Sequence, residues 1–312
     1  MAYSPRDKVV LITGAARGIG ADAAQRLARK GAKVSLVGLE PGELARVAES
    51  CGPEAAWFEC DVRDWDAVER AVAGTVERFG GIDVVVANAG IATVGTARSF
   101  DIAAWERTID INLLGVWRTV RACLPHVIER RGYILPVASL AALVQGPGFS
   151  AYCATKAGVE AFGNSLRMEV AHLGVDVGVA YFSWIDTEMV KGGYEHPAYT
   201  KAREQQKGPF AKTYPVSDAG GAVVRGIEGR SKRVVAPWWL KLLLPIRGLL
   251  AFIYERDMRE VAPDVVDLIE AEARERGAAE AALVGAGGQA AVREAEGASA
   301  GGGAPERAPS PS

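Results

Sequence analysis

Tyr152 and Lys156 stand four residues apart in the stretch "SAYCATK", Ser150 to Lys156. On a helix this spacing puts both side chains on one face, one turn above the other. A phenol beside an ammonium can move a proton. A free tyrosine titrates at about pH 10, too high for a base near neutrality, and an adjacent positive charge favours its ionised form. The same spacing also arises by chance on exposed helices, so the elements around the pair have to decide. Ser139 lies upstream at the end of the apolar run "GYILPVAS", where a hydroxyl at a strand end can orient an oxygen substrate or cap a turn.

A second constellation sits near the N-terminus. "TGAARGIG" (13–20) follows the apolar run "KVVLIT" and opens a helical pattern. Glycines at 14, 18 and 20 allow a tight turn, a close approach of a pyrophosphate, and packing of helix on strand. The N-terminus of the helix then offers free N–H groups and the positive end of its dipole.

Gly14, Gly18, Ile19 and Gly20 form Gly-x-x-x-Gly-Ile-Gly, which resembles the cofactor loop of the short-chain dehydrogenase/reductase family. Further family marks follow in order: "CDV" with Asp61 and Val62, "NAG" with Asn88, Ala89 and Gly90, "INLLG" with Asn112, then Ser139, Tyr152 and Lys156. The resemblance covers about residues 6–237. It implies hydride transfer between a nicotinamide and a carbonyl or alcohol carbon. In that reading Tyr152 is the general acid/base, Lys156 lowers its pKa and binds the nicotinamide ribose, and Ser139 orients the substrate oxygen. Asn112 resembles the residue that holds a water linking the lysine to solvent. Asp61 stands where the family contacts adenine, and Thr187 where it contacts the nicotinamide carboxamide. A cofactor-binding sensor or scaffold without catalysis is the alternative, against which the intact Ser139–Tyr152–Lys156 set speaks.

Two departures stand out. Ser183 and Trp184 occupy the usual Pro-Gly positions after the strand at 175–182, so that backbone must suit non-glycine residues. Trp184 either walls a ligand site or packs in the core. At the end of the second strand, "VGLEPGE" puts Gly38 where NAD-preferring relatives carry aspartate and Leu39 where NADP-preferring ones carry arginine. Arg17 could reach a 2′-phosphate and Glu40 a ribose hydroxyl. The balance leans to NADP(H), with NAD(H) the other choice.

The elements that must position these residues read as strand-length apolar runs alternating with helices. Strands are expected at 8–13, 33–38, 55–59, 82–90, 132–139, 175–182 and 232–237, and helices at 19–30, 41–50, 64–79, 101–130 and 150–172. Continuous apolar strands imply a sheet buried on both faces, and the alternation implies a parallel, doubly wound, Rossmann-like α/β fold. Pro136 is awkward inside a central strand. Residues 1–237 read as the catalytic domain, 238–284 as a helical extension and 285–312 as a disordered tail poor in groups that could build a core.

The chain has 36 basic and 38 acidic residues, which argues against a general nucleic-acid binder. Its four cysteines show no metal-ligand spacing, so no metal is expected. The N-terminus lacks the pattern of a signal peptide, and a cytoplasmic protein is expected. The apolar loops 140–149 and 188–215 favour a lipophilic alcohol or ketone. The run 238–254, "WWLKLLLPIRGLLAFIY", is short for a span. It suits cover for the pocket, a subunit interface or peripheral membrane contact. The resemblance implies a homo-oligomer joined through helices 101–130 and 150–172.

Overall fold

The computed structural model describes residues 3–204, 206 and 208–285. In chain order the first half contains β1 (Val9–Thr13), α1 (Gly18–Arg29), β2 (Lys33–Gly38), α2 (Pro41–Cys51), β3 (Ala55–Glu59), α3 (Trp65–Phe79), β4 (Val84–Ala87) and β5 (Ala92–Thr93). It continues with α4 (Ile102–Ile109), α5 (Gly115–Glu129), β6 (Tyr133–Pro136), α6 (Ser150–Val170), β7 (Asp176–Val177) and β8 (Val179–Phe182). The last part holds α7 (Glu188–Gly193), α8 (Pro197–Glu204), α9 (Val216–Glu228), β9 (Arg233–Ala236), α10 (Leu240–Leu243), α11 (Arg247–Arg276), α12 (Ala278–Ala281) and β10 (Leu283–Val284).

Strand order in the six-stranded parallel sheet is β3-β2-β1-β4-β6-β7. Alternate residues of β1 face opposite sides. Val10 and Ile12 join Leu27, Leu36, Leu44 and Ile227 in the core on one face. Leu11 joins Val68, Val72, Val85, Val120 and Val127 on the other. This two-sided burial is the reason the strands read as unbroken apolar runs. The topology reverses at β1/β4, so the carboxyl ends of these strands open the crevice where α/β folds bind ligands.

Three expected elements differ in detail. The strand expected over 175–182 is interrupted at Gly178, whose added Cβ would lie 2.1 Å from Tyr133 Oη and 2.3 Å from Ser231 O. Tyr133 donates to Ser231 O there (2.7 Å), and β8 then pairs in parallel with β9. The helix expected over 101–130 is broken by a π-helical turn, Asp110–Leu114, between α4 and α5. Pro136 is accommodated as the last residue of β6, opposite Ala87.

The C-terminal segment folds back over the sheet's carboxyl edge. Arg247 pairs with the buried Glu160 of α6. Val265 and Ile269 of α11 pack with Ala92, Val94 and Ala198. β10 then pairs antiparallel with β5, Val284 opposite Ala92, and His196 Nε2 lies 2.8 Å from Leu283 O. Among the described residues no helix is long and apolar enough to cross a membrane. The tail expected to be disordered lies, beyond Gly285, outside the described residues.

Candidate active site

The glycine loop joins β1 to α1. Gly14 and Gly18 take φ of +63° and +56°, a region glycine enters without the penalty a Cβ brings. A Cβ on Gly20 would stand 2.4 Å from Gly14 O. The first turn of α1 carries no acidic residue, and its cap residue Arg17 makes no side-chain capping bond. The N–H groups at this helix end are thus left for an anion. Asn88, just past β4, ties the loop down: its Nδ2 donates to Thr13 O and Gly14 O, each at 3.1 Å.

A cleft runs from this loop along the carboxyl edge. It is lined by Gly14, Arg17, Gly18, Ile19, Asp61, Val62, Asn88, Ala89 and Gly90, and reaches Ser139, Tyr152, Lys156 and Thr187. Gly20 lies directly beneath, and Asn112 behind Gly90, so the expected residues are gathered around one cleft. Asp61 accepts from Arg63 N and pairs with the Arg63 guanidinium. Val62 packs with Ile91 and Ile111. Thr187 caps α7 by accepting from Val190 N (3.4 Å), and its methyl would meet a Cβ on Gly18 at 3.3 Å.

The cleft fits a dinucleotide. Its glycines supply a cradle that side chains would fill, and α1 supplies unpaired donors. Ser183 Oγ, at the far end, is buried with no hydrogen-bond partner among the described residues.

Ser139 ends the segment after β6. Its Oγ accepts from Ala141 N (3.1 Å) and donates to Phe182 O (3.4 Å). Lys156, 4% exposed, donates to Val137 O at 2.9 Å and lies 5.5 Å from the centre of the Tyr152 ring. Asn112 sits in the π turn, a form that recurs at functional sites. Its Oδ1 accepts from Ile91 N and its Nδ2 donates to Ile91 O, both at 2.8 Å. A Cβ on Gly90 would be 3.2 Å from Asn112 Oδ1 and 3.5 Å from Lys156 Nζ, so a side chain there would crowd the junction between them.

The electrostatics depart from the sequence expectation. Burial pushes the Tyr152 hydroxyl up to about 12, against the smaller downward pull of the Ser139 hydrogen bond. Burial also pushes Lys156 down to about 8. Within the protein alone desolvation therefore outweighs any lowering of Tyr152 by the ammonium, which is aimed at Val137 O.

A second chamber meets the cleft at Ser139, Tyr152 and Ser183. Val144, Phe149, Trp184, Met189, Tyr199 and Phe210 give it apolar walls. Trp184 lines this chamber, with the Arg203 guanidinium 4.3 Å from its ring centre and Tyr199 edge-on at 5.5 Å. The backbone at Ser183 and Trp184 has no positive φ, as two non-glycine residues require.

Residues 8–197 match the sequence model of the short chain dehydrogenase family. The chain belongs to the short-chain dehydrogenase/reductase family. It is 35% identical over 202 residues to an uncharacterised NAD-dependent oxidoreductase of Mycobacterium tuberculosis, covering 59% of this chain and 74% of that protein. It is 33% identical over 250 residues to 11-beta-hydroxysteroid dehydrogenase 1A of Arabidopsis thaliana, covering 75% of this chain and 70% of that protein. The crystal structure of levodione reductase superposes with a TM-score of 0.69 at 28% identity, covering 74% of this chain and 96% of the other. The protein is thus an NAD(P)-dependent oxidoreductase of the short-chain dehydrogenase/reductase type, and the alternative of a non-catalytic sensor or scaffold falls away.

Sequence reasoning missed two parts of this short-chain dehydrogenase site. Arg17 is held between Glu40 (2.9 Å) and Glu188 (2.7 Å), and Glu188 was not foreseen. Met258 and Val284 line the chamber from beyond the run 238–254, whose expected cover of the pocket is met by Tyr254. The four-residue step from Tyr254 to Met258 continues that cover along one helix face.

Proposed function

We propose that this enzyme interconverts lipophilic alcohols and the corresponding ketones, with Tyr152 as general acid/base and NAD(H) as the preferred cofactor. The meeting of a dinucleotide cleft and an apolar chamber at Ser139 and Tyr152 carries the reading. When bound there, the nicotinamide supplies or accepts the hydride. The chain's own residues do the rest. Gly14, Gly18 and Gly20 with the N-terminus of α1 receive the pyrophosphate, and Asp61 and Val62 border the adenine end. Asn88, Ala89, Gly90 and Thr187 border the nicotinamide end, and Lys156 is placed for the ribose. Ser139 holds the substrate oxygen, and Tyr152 gives or takes its proton. A phenol kept protonated by burial is loaded to donate to a developing alkoxide, which suits ketone reduction. Asn112 fixes the floor by pinning Ile91, with Gly90 open between it and Lys156.

The lean to NADP(H) rested on an available Arg17. With that guanidinium shared by Glu40 and Glu188, a 2′-phosphate would face two carboxylates. Glu40 stands two residues past the end of β2, near where an acid serves a ribose hydroxyl. The NAD-dependent relative supports the same choice. The steroid named for the plant relative supports a lipophilic substrate. Exposed Ile102, Leu114 and Trp117 support self-association through α4, the π turn and α5.

The test is turnover of a panel of apolar cyclic alcohols and ketones with NAD(H) and NADP(H), alongside Tyr152→Phe. Turnover with NAD(H) that Tyr152→Phe abolishes is expected. Full activity in Tyr152→Phe would overturn the proton-transfer role.

A further inference from the structure

The helix α11 has two apolar faces at its N-terminal end. Tyr254, Met258, Val265 and Ile269 recur at helical spacing and turn inward, the first two into the substrate chamber. Leu249, Phe252 and Ile253 point the other way and are 60%, 68% and 43% exposed. Trp238, Leu242 and Ile246 extend that outward surface at 74%, 64% and 50%. Residues 248–254 of α11 carry no charge, so exposed apolar side chains there call for apolar surroundings, and charged residues resume at Glu255. Six exposed large apolar side chains within sixteen residues of chain point to a docking surface.

The charges around the patch say what it docks on. From Gly229 to Tyr254 the chain carries Arg230, Lys232, Arg233, Lys241 and Arg247 and no acidic residue. Arg167, Arg233 and Arg247 line one surface recess with Met168 and Pro245, and Glu160 is the acid among its lining residues. A second copy related by a two-fold axis would bring this basic surface against itself. An anionic bilayer offers the opposite charge and an apolar interior together.

We propose that the outward face of α10 and α11 seats on an anionic lipid surface, with the Arg167–Arg233–Arg247 recess at the headgroups. The lipophilic substrate then passes from the bilayer to the chamber whose wall is the other face of the same helix. The contact between Phe210, which lines the chamber, and Trp239, beside exposed Trp238, joins the two regions (ring centres 5.1 Å apart). The passage rests on the lipophilic-substrate reading above, whereas the docking stands on exposure and charge.

The test is co-sedimentation of the full chain with phosphatidylcholine vesicles, with and without phosphatidylglycerol, at low and high salt. Binding to the anionic vesicles is expected, falling with salt. The double variant Leu249→Ser/Phe252→Ser should lower partitioning at least about tenfold, given the apolar surface each side chain contributes. Arg233→Glu should weaken binding to anionic vesicles while sparing the weak binding to neutral ones. Thermal melting and turnover of a short water-soluble ketone without vesicles should match the wild type in both variants. No binding to either vesicle, or equal binding by the double variant, would overturn the proposal. So would a wild-type oligomer that the double variant dissociates, since a second copy would then cover this face. Vesicle binding that depends on Leu249 and Phe252 supports the docking even if no lipophilic alcohol is turned over, which separates its failure from that of the substrate reading.

Discussion

Lys156 Nζ donates to Val137 O at 2.9 Å while lying 5.5 Å from the centre of the Tyr152 ring. The ammonium is almost wholly buried and makes no carboxylate pair among the described residues, so its charge is held against its solvation. Its pKa falls from 10.5 to about 8 through burial. The folded state thus binds fewer protons than the unfolded state between about pH 8 and 10.5. The charge destabilises the fold fully below pH 8, and the penalty lifts as pH rises through that window. The shift corresponds to about 3 kcal/mol, offset by a hydrogen bond of about 1 kcal/mol. Lys156→Met should therefore stabilise the protein by about 2 kcal/mol at pH 7. Urea unfolding at pH 7 and 10.5 checks this. A variant less stable than wild type at pH 7, or a gain that persists at pH 10.5, would contradict it.

Tyr152→Phe removes the proposed proton carrier and leaves the ring's packing. Turnover should fall by about 10²–10⁴-fold with the melting temperature unchanged. Ser139→Ala should cost about 10²-fold through loss of substrate-oxygen positioning. Nucleotide binding, followed by energy transfer from tryptophan, should survive in both. Loss of nucleotide binding along with turnover would assign these residues to the cleft's structure instead.

Arg17 is the pivot of cofactor choice because two carboxylates hold it. Glu40→Gln combined with Glu188→Gln frees the guanidinium for a phosphate. Affinity for NADPH relative to NADH should rise about tenfold or more, the worth of one charge-assisted contact. Titration of each variant with both nucleotides measures the ratio. An unchanged ratio would mean that Arg17 does not reach the 2′ position.

The legible parts of this site were local. The glycine loop is a contiguous strand–turn–helix, and Tyr152 and Lys156 declare their shared face through helical period alone. The sheet was readable because Val10, Leu11 and Ile12 bury opposite faces in one run. What escaped depended on distant partners or single-residue irregularities. Arg17 and Glu188 are 171 residues apart, and no local pattern joins them. The π turn that buries Asn112 has no compositional mark, so α4 and α5 read as one helix. Gly178 breaks a strand because Tyr133 needs its space. The lean to NADP(H) was drawn without Glu188 in view, since an arginine's sequence position does not reveal which carboxylates hold it.

The wall contributed by α11 makes the last prediction. Met258 is buried at the chamber, and Tyr254 lines it beside Cys153 and Gly146. Neither belongs to the cleft at Ser139 and Lys156. Met258→Ala should thus enlarge the chamber without disturbing the proton path. A bulky ring substrate that fills the chamber loses van der Waals contact, and each lost methylene equivalent is worth about 1 kcal/mol or more in discrimination. kcat/KM for such a substrate should change about tenfold or more, mainly through KM, while a three- or four-carbon ketone should be turned over as by wild type. Equal effects on large and small ketones would show that α11 acts on the stability of the site and not on its choice of substrate.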